Sequence, residues 1–128
     1  MTVQLHCADV PEHLDGRVEF ELFRIAQEAL QNAGKHADAQ NAYINLTGDD
    51  TGETISLTIE DDGRGFNVDA DRTTSLGLSN LEHRANSIHG RLNIESAPGK
   101  GTLVEVTCPT TPPTPDVEID ERFRPEIG

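Results

Sequence analysis

The sequence predicts an α+β fold: a two-layer α/β sandwich in which a mixed sheet of about five strands is covered on one face by about three helices. Three observations lead to this prediction. Segments of alternating apolar and polar residues recur along the chain, as in strands with one buried face. Between them lie segments whose apolar residues recur at helical spacing. The chain has 128 residues, 34% of them hydrophobic, which is enough for a single core.

The pattern of residues in the first half of the chain predicts a strand, a long helix and a pair of strands. The first strand is predicted at residues 3–7. Gly16 to about His36 predicts a helix, whose apolar stripe consists of Leu22, Ile25, Ala26, Ala29, Leu30 and Ala33. Residues 41–47 and 53–60 alternate again, and the glycines and aspartates between them predict a turn.

The second half predicts a loop, a helix and two closing strands. Residues 64–76 lack apolar periodicity and are rich in Asp, Thr and Ser, as a mobile lid would be. An amphipathic helix begins near Gly77 and ends at Gly90, and residues 91–97 and 102–108 predict the closing strands.

The chain is predicted to consist of one domain and a tail. We place the domain at residues 1–108 and interpret residues 109–128, which are proline-rich and acidic, as a disordered tail. A partner-binding tail is the alternative.

Composition and charge argue against several classes of function. A net charge of −13 repels nucleic acid and anionic membrane surfaces, so we expect neither as a partner. No apolar run is long enough to cross a membrane, and the first residues do not resemble a signal peptide. Cys7 and Cys108 lie far apart, which predicts free thiols in a reducing compartment and no zinc site. We therefore expect a cytoplasmic domain.

The long helix carries three polar side chains that suit a nucleotide phosphate. Glu28, Asn32 and Lys35 lie four and then three residues apart, along one flank of the apolar stripe. A carboxylate can orient or deprotonate a water, an amide oxygen can ligate Mg2+, and an ammonium can meet a phosphate. Ordinary solvated helix residues are the alternative.

A second motif follows the strand at residues 53–60. Asp61 stands at the strand end, while Gly63 and Gly65 allow a sharp turn or close approach to a ligand, so a planar base could donate its amino group to Asp61. A plain acidic turn would look similar. Two further glycine sites follow, at residues 75–78 and 99–102, and the former opens a helix whose N–H groups attract anions. Together the four segments predict a site for Mg-ATP.

In order and content, these segments resemble the N, G1, G2 and G3 boxes of the GHKL ATPase superfamily, and in detail the catalytic ATP-binding domain of bacterial two-component sensor histidine kinases. The match runs from Val18 to Thr107. The sequences at residues 24–37 and 77–85 are similar to those of kinases that signal to NarL/LuxR-type response regulators with helix-turn-helix output domains.

The resemblance implies roles for the polar residues of the long helix. Asn32 would ligate Mg2+, Glu28 would act as base or water-orienting group, and Lys35 would contact the terminal phosphates. His36 would pack near the ribose or base, with a helix-capping imidazole as the alternative. Gly34 departs from a good helix sequence, at a cost of about 1 kcal/mol relative to alanine.

The resemblance also implies how the nucleotide pocket is built. Asp61 would accept a hydrogen bond from the adenine amino group. The other pocket positions would be Gly63 and Gly65 beside the base, Gly77 and Leu78 presenting backbone to the phosphates, and Gly101 and Thr102 closing the adenine side. Arg72 is the candidate for a phosphate contact made when the lid closes, with a solvated arginine as the alternative.

One departure affects the helix that follows the glycine site at residues 75–78. Where such kinases usually carry Glu in a Glu-Arg pair, this chain has His83. The role of Arg84 is therefore left open.

The resemblance finally implies partners for the domain. Such kinases carry their phospho-accepting histidine on a dimerisation helix, and His6 and His13 lie in strand-like or proline-flanked sequence. We therefore expect a monomeric ATP-binding domain that phosphorylates a histidine on a separate dimerisation domain and not itself, with a response regulator as an indirect partner. An anti-sigma-factor-type serine kinase of the same superfamily and a nucleotide-binding interaction module without chemistry are the alternatives.

Overall fold

A mixed five-stranded sheet forms the body of the domain, of which the computed structural model describes residues 1–67 and 78–111. In chain order the elements are β1 (Thr2–Ala8), α1 (Gly16–Gln31), a π-helical turn (Asn32–His36), β2 (Asn41–Gly48), β3 (Thr54–Asp61), α2 (Leu78–Ser87), β4 (Arg91–Ser96) and β5 (Thr102–Pro109). The strand order is β1-β2-β3-β5-β4, with β1 parallel to β2 and the other pairs antiparallel. The predicted mixed sheet is confirmed.

The helices α1 and α2 pack on one face of the sheet because the facing surfaces are apolar. Val18 and Ile25 of α1 and Leu81 of α2 are each 0% exposed. Removing such a side chain from water contributes about 1.5–3 kcal/mol. The sheet supplies alternate residues of its central strands, namely Ile55, Leu57, Ile59, Val104, Val106 and Cys108.

The described residues contain two α-helices and the π-helical turn, where the sequence predicted about three helices. Neither α-helix combines the length and the apolar character that spanning a bilayer requires.

The start of α1 follows the prediction. Asp15 is the N-cap, and its side chain accepts a hydrogen bond from the Arg17 N–H at 2.8 Å. The Asp15 carbonyl accepts from the Glu19 N–H at 3.0 Å, which closes the first turn. Leu22 then falls on the buried face.

The end of the long helix differs from the prediction. The α-helix ends at Gln31 instead of continuing to about His36, and the Ala37 N–H donates to the Asn32 carbonyl, five residues back, at 3.1 Å. Gly34, a poor helix former, lies inside this π-helical turn. Because a π turn holds more residues than an α turn, it rotates the side chains that follow. The expected α-helical spacing, which would place Lys35 on the same flank as Glu28, therefore does not apply within the π-helical turn.

The last strand continues beyond the expected domain boundary at Cys108. Thr110 is buried, its N–H donates to the Glu53 carbonyl at 2.8 Å, and its own carbonyl accepts from the Asp15 N–H at 3.1 Å. These bonds connect the end of β5 to the start of β3 and of α1. The folded domain therefore includes Thr110, while the remainder of the expected tail, 112–128, lies outside the described residues.

The edge of the sheet at β1 is only partly covered by α1. Leu5 of β1 is 67% exposed, and Phe20 and Phe23 of α1 are 57% and 65% exposed. These three side chains line an apolar groove between β1 and α1. Exposed apolar surface of this kind is typical of a contact surface.

The turn between β2 and β3 is organised by Asp49. One of its carboxylate oxygens accepts from the Thr51 hydroxyl at 2.9 Å and the Glu53 N–H at 3.1 Å. The other accepts from the Thr54 hydroxyl at 2.8 Å. Hydrogen bonds from Thr54 and Thr51 lower the pKa of Asp49 to about 2.

We predict that Asp49→Asn lowers stability at neutral pH and that its effect shrinks in acid. Because the folded-state pKa lies below the ordinary 3.8, the stability that Asp49 contributes is present above that value and is lost as the pH falls to about 2. Urea-unfolding midpoints at pH 7 and pH 3 measure the effect, with Asp50→Asn as the control in the same turn. A deficit of equal size at both pH values would contradict the prediction.

Candidate functional site

One cavity, between α1, α2 and the sheet, collects six of the ten predicted site residues that the structure describes. Its polar and glycine positions are Asn32, His36, Asp61, Gly65 and Thr102. Its apolar lining comes from Ala29, Ala37, Ile59, Phe66, Leu78, Leu81, Ile94 and Val104. The empty space between these residues, including the open mouth of the cavity, is about 570 Å³. An apolar lining with a few polar groups suits an aromatic ring that is held in one orientation.

Asp61 is the buried acid of the cavity. It lies at the end of β3, is 9% exposed, and one of its oxygens accepts the Gly63 N–H at 2.8 Å. Burial raises the pKa of Asp61, and the Gly63 N–H opposes that rise. A carboxylate has lone pairs for several donors, so Asp61 retains capacity to accept a ligand amino group.

Three glycines allow separate loops to meet around Asp61. A Cβ at each would collide with another part of the chain: at Gly63 with the Ala37 Cβ at 2.6 Å, at Gly65 with the Ala97 carbonyl oxygen at 2.1 Å, and at Gly101 with the Asp61 carbonyl oxygen at 2.2 Å. Gly65 and Gly101 also have φ of 66° and 73°, which L-residues rarely adopt. All three glycines are therefore needed for the backbone packing that frames the cavity.

Asp62 stabilises the backbone around the cavity, a role that was not predicted from the sequence. Its carboxylate accepts from the Asn41 N–H at 2.9 Å, the Asn41 side-chain amide at 2.8 Å and the Gln40 N–H at 2.9 Å. Hydrogen bonds from Asn41 lower the pKa of Asp62. The two adjacent acids therefore divide their roles: Asp62 fixes the end of β3 against the start of β2, and Asp61 faces the cavity.

Ser96 is a second residue that the sequence analysis missed. Its hydroxyl bonds with the Thr102 hydroxyl at 2.9 Å, donates to the Gly101 carbonyl at 2.9 Å, and accepts from the Phe66 N–H at 2.9 Å. Ser96 pairs with Thr102 across β4 and β5. The register of the closing strands is the signal that could have identified it.

Glu28 and Lys35 are not among the residues that line the cavity. Lys35 is exposed on the π-helical turn. The Glu28 side chain is 22% exposed and lies toward α2, where it meets Arg84. Asn32, one turn further along, does line the cavity.

Arg84, whose role the sequence left open, connects α2 to α1. Its Nε donates to one oxygen of Glu28 at 3.3 Å, and a terminal nitrogen donates to Glu21 at 3.2 Å. The other oxygen of Glu28, Oε2, is buried and has no hydrogen-bond partner within residues 1–67 and 78–111. No local sequence pattern indicated this contact, because Glu28 and Glu21 precede Arg84 by 56 and 63 residues in the chain.

Two predicted site residues, Arg72 and Gly77, lie outside the described residues. Of the remaining glycines, Gly63 contacts Asp61 and Gly101 packs on the backbone of Asp61, so both support the cavity from behind its lining. Leu78, the first residue of α2, is on the lining itself.

Asn32 is a cavity residue whose amide oxygen could ligate a hard cation. Within the described part of the chain, no cluster of three His, Cys, Asp or Glu residues could hold a metal. Magnesium usually keeps several waters and takes phosphate oxygens together with one or two protein ligands. The residues therefore fit a magnesium ion that arrives with a nucleotide.

Comparison with known proteins places this cavity in a family context. The model of the family described as "Histidine kinase-, DNA gyrase B-, and HSP90-like ATPase" matches residues 17–112. The signal transduction histidine-protein kinase/phosphatase DegS of Brevibacillus brevis is 38% identical over 101 residues, which are 79% of this chain and 25% of that protein. The sensor protein VraS of Staphylococcus aureus is 39% identical over 92 residues, 72% of this chain and 26% of that protein. The chain thus spans about a quarter of the length of these relatives.

Solved structures agree with the fold. The histidine kinase domain of the Erythrobacter litoralis EL346 blue-light activated histidine kinase superposes with a TM-score of 0.57 at 29% identity, covering 85% of this chain and 52% of that one. The ATP binding domain of PrrB from Mycobacterium tuberculosis gives a TM-score of 0.64 at 19% identity, covering 84% and 79%. The second likeness concerns the fold alone.

We predict that Gly101→Ala lowers the melting temperature more than Gly52→Ala. Both glycines have positive φ, 73° and 74°, and such strain costs about 1–3 kcal/mol in a non-glycine residue. A Cβ at Gly52 meets open space, whereas at Gly101 it must also displace the Asp61 carbonyl. Thermal unfolding of both variants measures the difference. Equal decreases would show that the close approach to Asp61 does not constrain the domain.

Proposed function

The chain belongs to the family of histidine kinase-, DNA gyrase B- and HSP90-like ATPases and is an ATP-binding catalytic domain of the histidine kinase type, and we propose that it passes the γ-phosphoryl group of ATP to a histidine on a separate dimerisation domain. The observation that carries the proposal is the single cavity that Asn32 and Asp61 share. One of these side chains suits a metal-bound phosphate and the other an adenine amino group.

In this proposal the adenine ring occupies the apolar part of the cavity. Asp61 accepts a hydrogen bond from the adenine amino group, and its burial strengthens that bond because little water competes. Gly65 and Thr102 lie beside the base, and His36 lies at the ribose end. Guanine carries a carbonyl oxygen where adenine carries its amino group, so the charged form of Asp61 selects adenine.

The phosphates extend from the base toward the start of α2 and the π-helical turn. Leu78 lines the cavity at the first residue of α2, and the backbone N–H groups at a helix start favour an anion. Asn32 would hold magnesium through its amide oxygen, and the ion would supply positive charge that offsets the phosphates in a chain of net charge −13. Lys35 and Arg72 are part of the proposal as phosphate contacts.

The transfer step follows from the chemistry of the groups involved. A histidine ring nitrogen forms a bond to the γ-phosphorus while the bond from that phosphorus to the β,γ-bridging oxygen breaks, and ADP leaves with the electron pair. Glu28 accepts the proton that the imidazole loses, directly or through a water that it orients. The histidine-bearing domain of the parent kinase, a response regulator with a helix-turn-helix output domain and a cytoplasmic location are further parts of this proposal.

The binding mode is tested by calorimetric titration with a non-hydrolysable ATP analogue, with and without magnesium. We expect Asp61→Asn to weaken binding about 10- to 100-fold, because a hydrogen bond to a charged group contributes about 1.5–3 kcal/mol. Glu60→Gln, which removes the exposed carboxylate next to Asp61, should bind as the wild type does. Asn32→Ala should lose the gain in affinity that magnesium gives and keep the magnesium-independent part. Unchanged affinity in Asp61→Asn would contradict the adenine contact.

Loss of folding does not account for weaker binding in Asp61→Asn. Because burial raises the pKa of Asp61, the stability it contributes is present below its ordinary pKa of 3.8 and is lost as the pH rises through the folded-state value. At neutral pH the neutral amide therefore avoids a desolvation cost. We expect the variant to melt at or above the wild-type temperature, and a large decrease would show that the charge is structural.

The phosphotransfer is tested by incubation with γ-labelled ATP, first of the chain alone and then with the dimerisation domain. We expect no label on the chain alone and acid-labile label on the histidine of the added domain. Label on the isolated chain would contradict the transfer in trans. Acid-stable label on a serine substrate would favour the anti-sigma-factor-type kinase, and nucleotide binding without any transfer would favour an interaction module.

A further inference from the structure

A single arginine joins α2 to two acids on α1. Glu21 and Glu28 lie seven residues apart, which places them two turns apart on the same side of the helix. Arg84 donates to Glu28 through Nε at 3.3 Å and to Glu21 through a terminal nitrogen at 3.2 Å. The three side chains are only 19–23% exposed. The guanidinium therefore spans both acids with different nitrogens, which fixes its plane.

This contact treats the two oxygens of Glu28 differently. Oε1 is paired with Arg84, while Oε2 is buried and has no hydrogen-bond partner in the described part of the chain. A buried acceptor without a donor is destabilising, so most such oxygens are satisfied in folded proteins. Glu28 therefore has an acceptor oxygen that no group in the described part of the chain uses, next to the cavity residue Ala29.

The stability of the folded domain alone does not explain why Arg84 pairs with Glu21 and Glu28. Ion pairs that remain partly exposed add little to stability, less than the unsatisfied oxygen takes away. The apolar contact between α1 and α2, through residues such as Ile25 and Leu81, already holds the helices together. What the guanidinium adds is a fixed orientation of the Glu28 carboxylate.

We propose that Arg84 is a positioning residue for Glu28 in phosphoryl transfer, an inference that rests on the proposed function. By holding Oε1, Arg84 keeps Oε2 in one orientation, ready to accept the proton of the attacking group or to orient a water. Glu21 anchors the other side of the guanidinium. Arg84 is not among the cavity-lining residues, so it acts through Glu28 and not on the nucleotide.

Single-turnover transfer from γ-labelled ATP to the dimerisation domain, at saturating ATP, tests this inference. We expect Arg84→Gln to slow transfer about 10- to 100-fold, the range that a misplaced catalytic group produces, without a change in the Kd of the ATP analogue. Arg84→Lys, which keeps the charge but offers one nitrogen, should recover part of the rate. Arg91→Gln, at an exposed position on β4, is the control for loss of an arginine and should transfer at the wild-type rate.

A double variant separates positioning from a merely structural role. In a Glu28→Gln background, Arg84→Gln should slow transfer no further, because the group that it positions is already gone. Independent slowing by the two substitutions, an Arg84→Gln rate equal to the control, or a faster rate would each overturn the proposal. A faster rate would mean that Arg84 restrains Glu28 away from the reaction.

The melting temperature of each variant and its Kd for the ATP analogue show whether a slower transfer comes from loss of folding or of nucleotide binding. If Arg84→Gln does not fold, Arg84→Lys carries the test, and a reduced transfer rate at unchanged Kd supports the proposal. If the wild type binds the analogue but transfers nothing, the proposed function itself fails, and with it this inference. Normal wild-type transfer together with an unaffected Arg84→Gln would overturn this inference alone.

Discussion

The burial of one carboxylate, that of Asp61 at the end of β3, is the constraint around which the site is built. Desolvation raises its pKa, so its charged form is held at a cost that the surrounding backbone must offset. The Gly63 N–H supplies one hydrogen bond, and Asp62 locks the same strand end to β2. The close approach of Gly101 to the Asp61 backbone excludes any side chain from that position. An acid held in this way retains lone pairs for a donor from a ligand, and in the proposed function that donor is the adenine amino group.

The helix α1 connects this acid to the rest of the site. Its N-terminal part supplies the core residues Val18 and Ile25, and its last α-helical residues lead into the π-helical turn that brings Asn32 and His36 to the cavity. π-helical turns occur often at functional sites. The same helix contacts α2 through the hydrogen bond between Arg84 and Glu28.

Much of the fold could be predicted from the sequence, because alternation and helical spacing are local properties of the chain. The sheet and both α-helices lie within a few residues of their predicted positions. The cavity residues Asn32, Asp61 and Thr102 came from motifs that resemble a known superfamily, and the structure brings them together.

The parts that could not be predicted depend on contacts between distant residues. The π-helical turn at Asn32–His36 interrupts the helical period, and a periodic pattern of apolar residues does not indicate such a change of winding. Arg84 meets Glu28 because α2 packs on α1, and Ser96 meets Thr102 because of the strand register. Such pairings become visible only when the tertiary fold is known.

The most direct measurement is a crystal structure of the chain with an ATP analogue and magnesium. The account predicts that the adenine amino group lies within hydrogen-bonding distance of the Asp61 carboxylate, and that the ion lies about 2.1 Å from the Asn32 amide oxygen. A nucleotide bound elsewhere, or an ion and base that contact neither side chain, would contradict it.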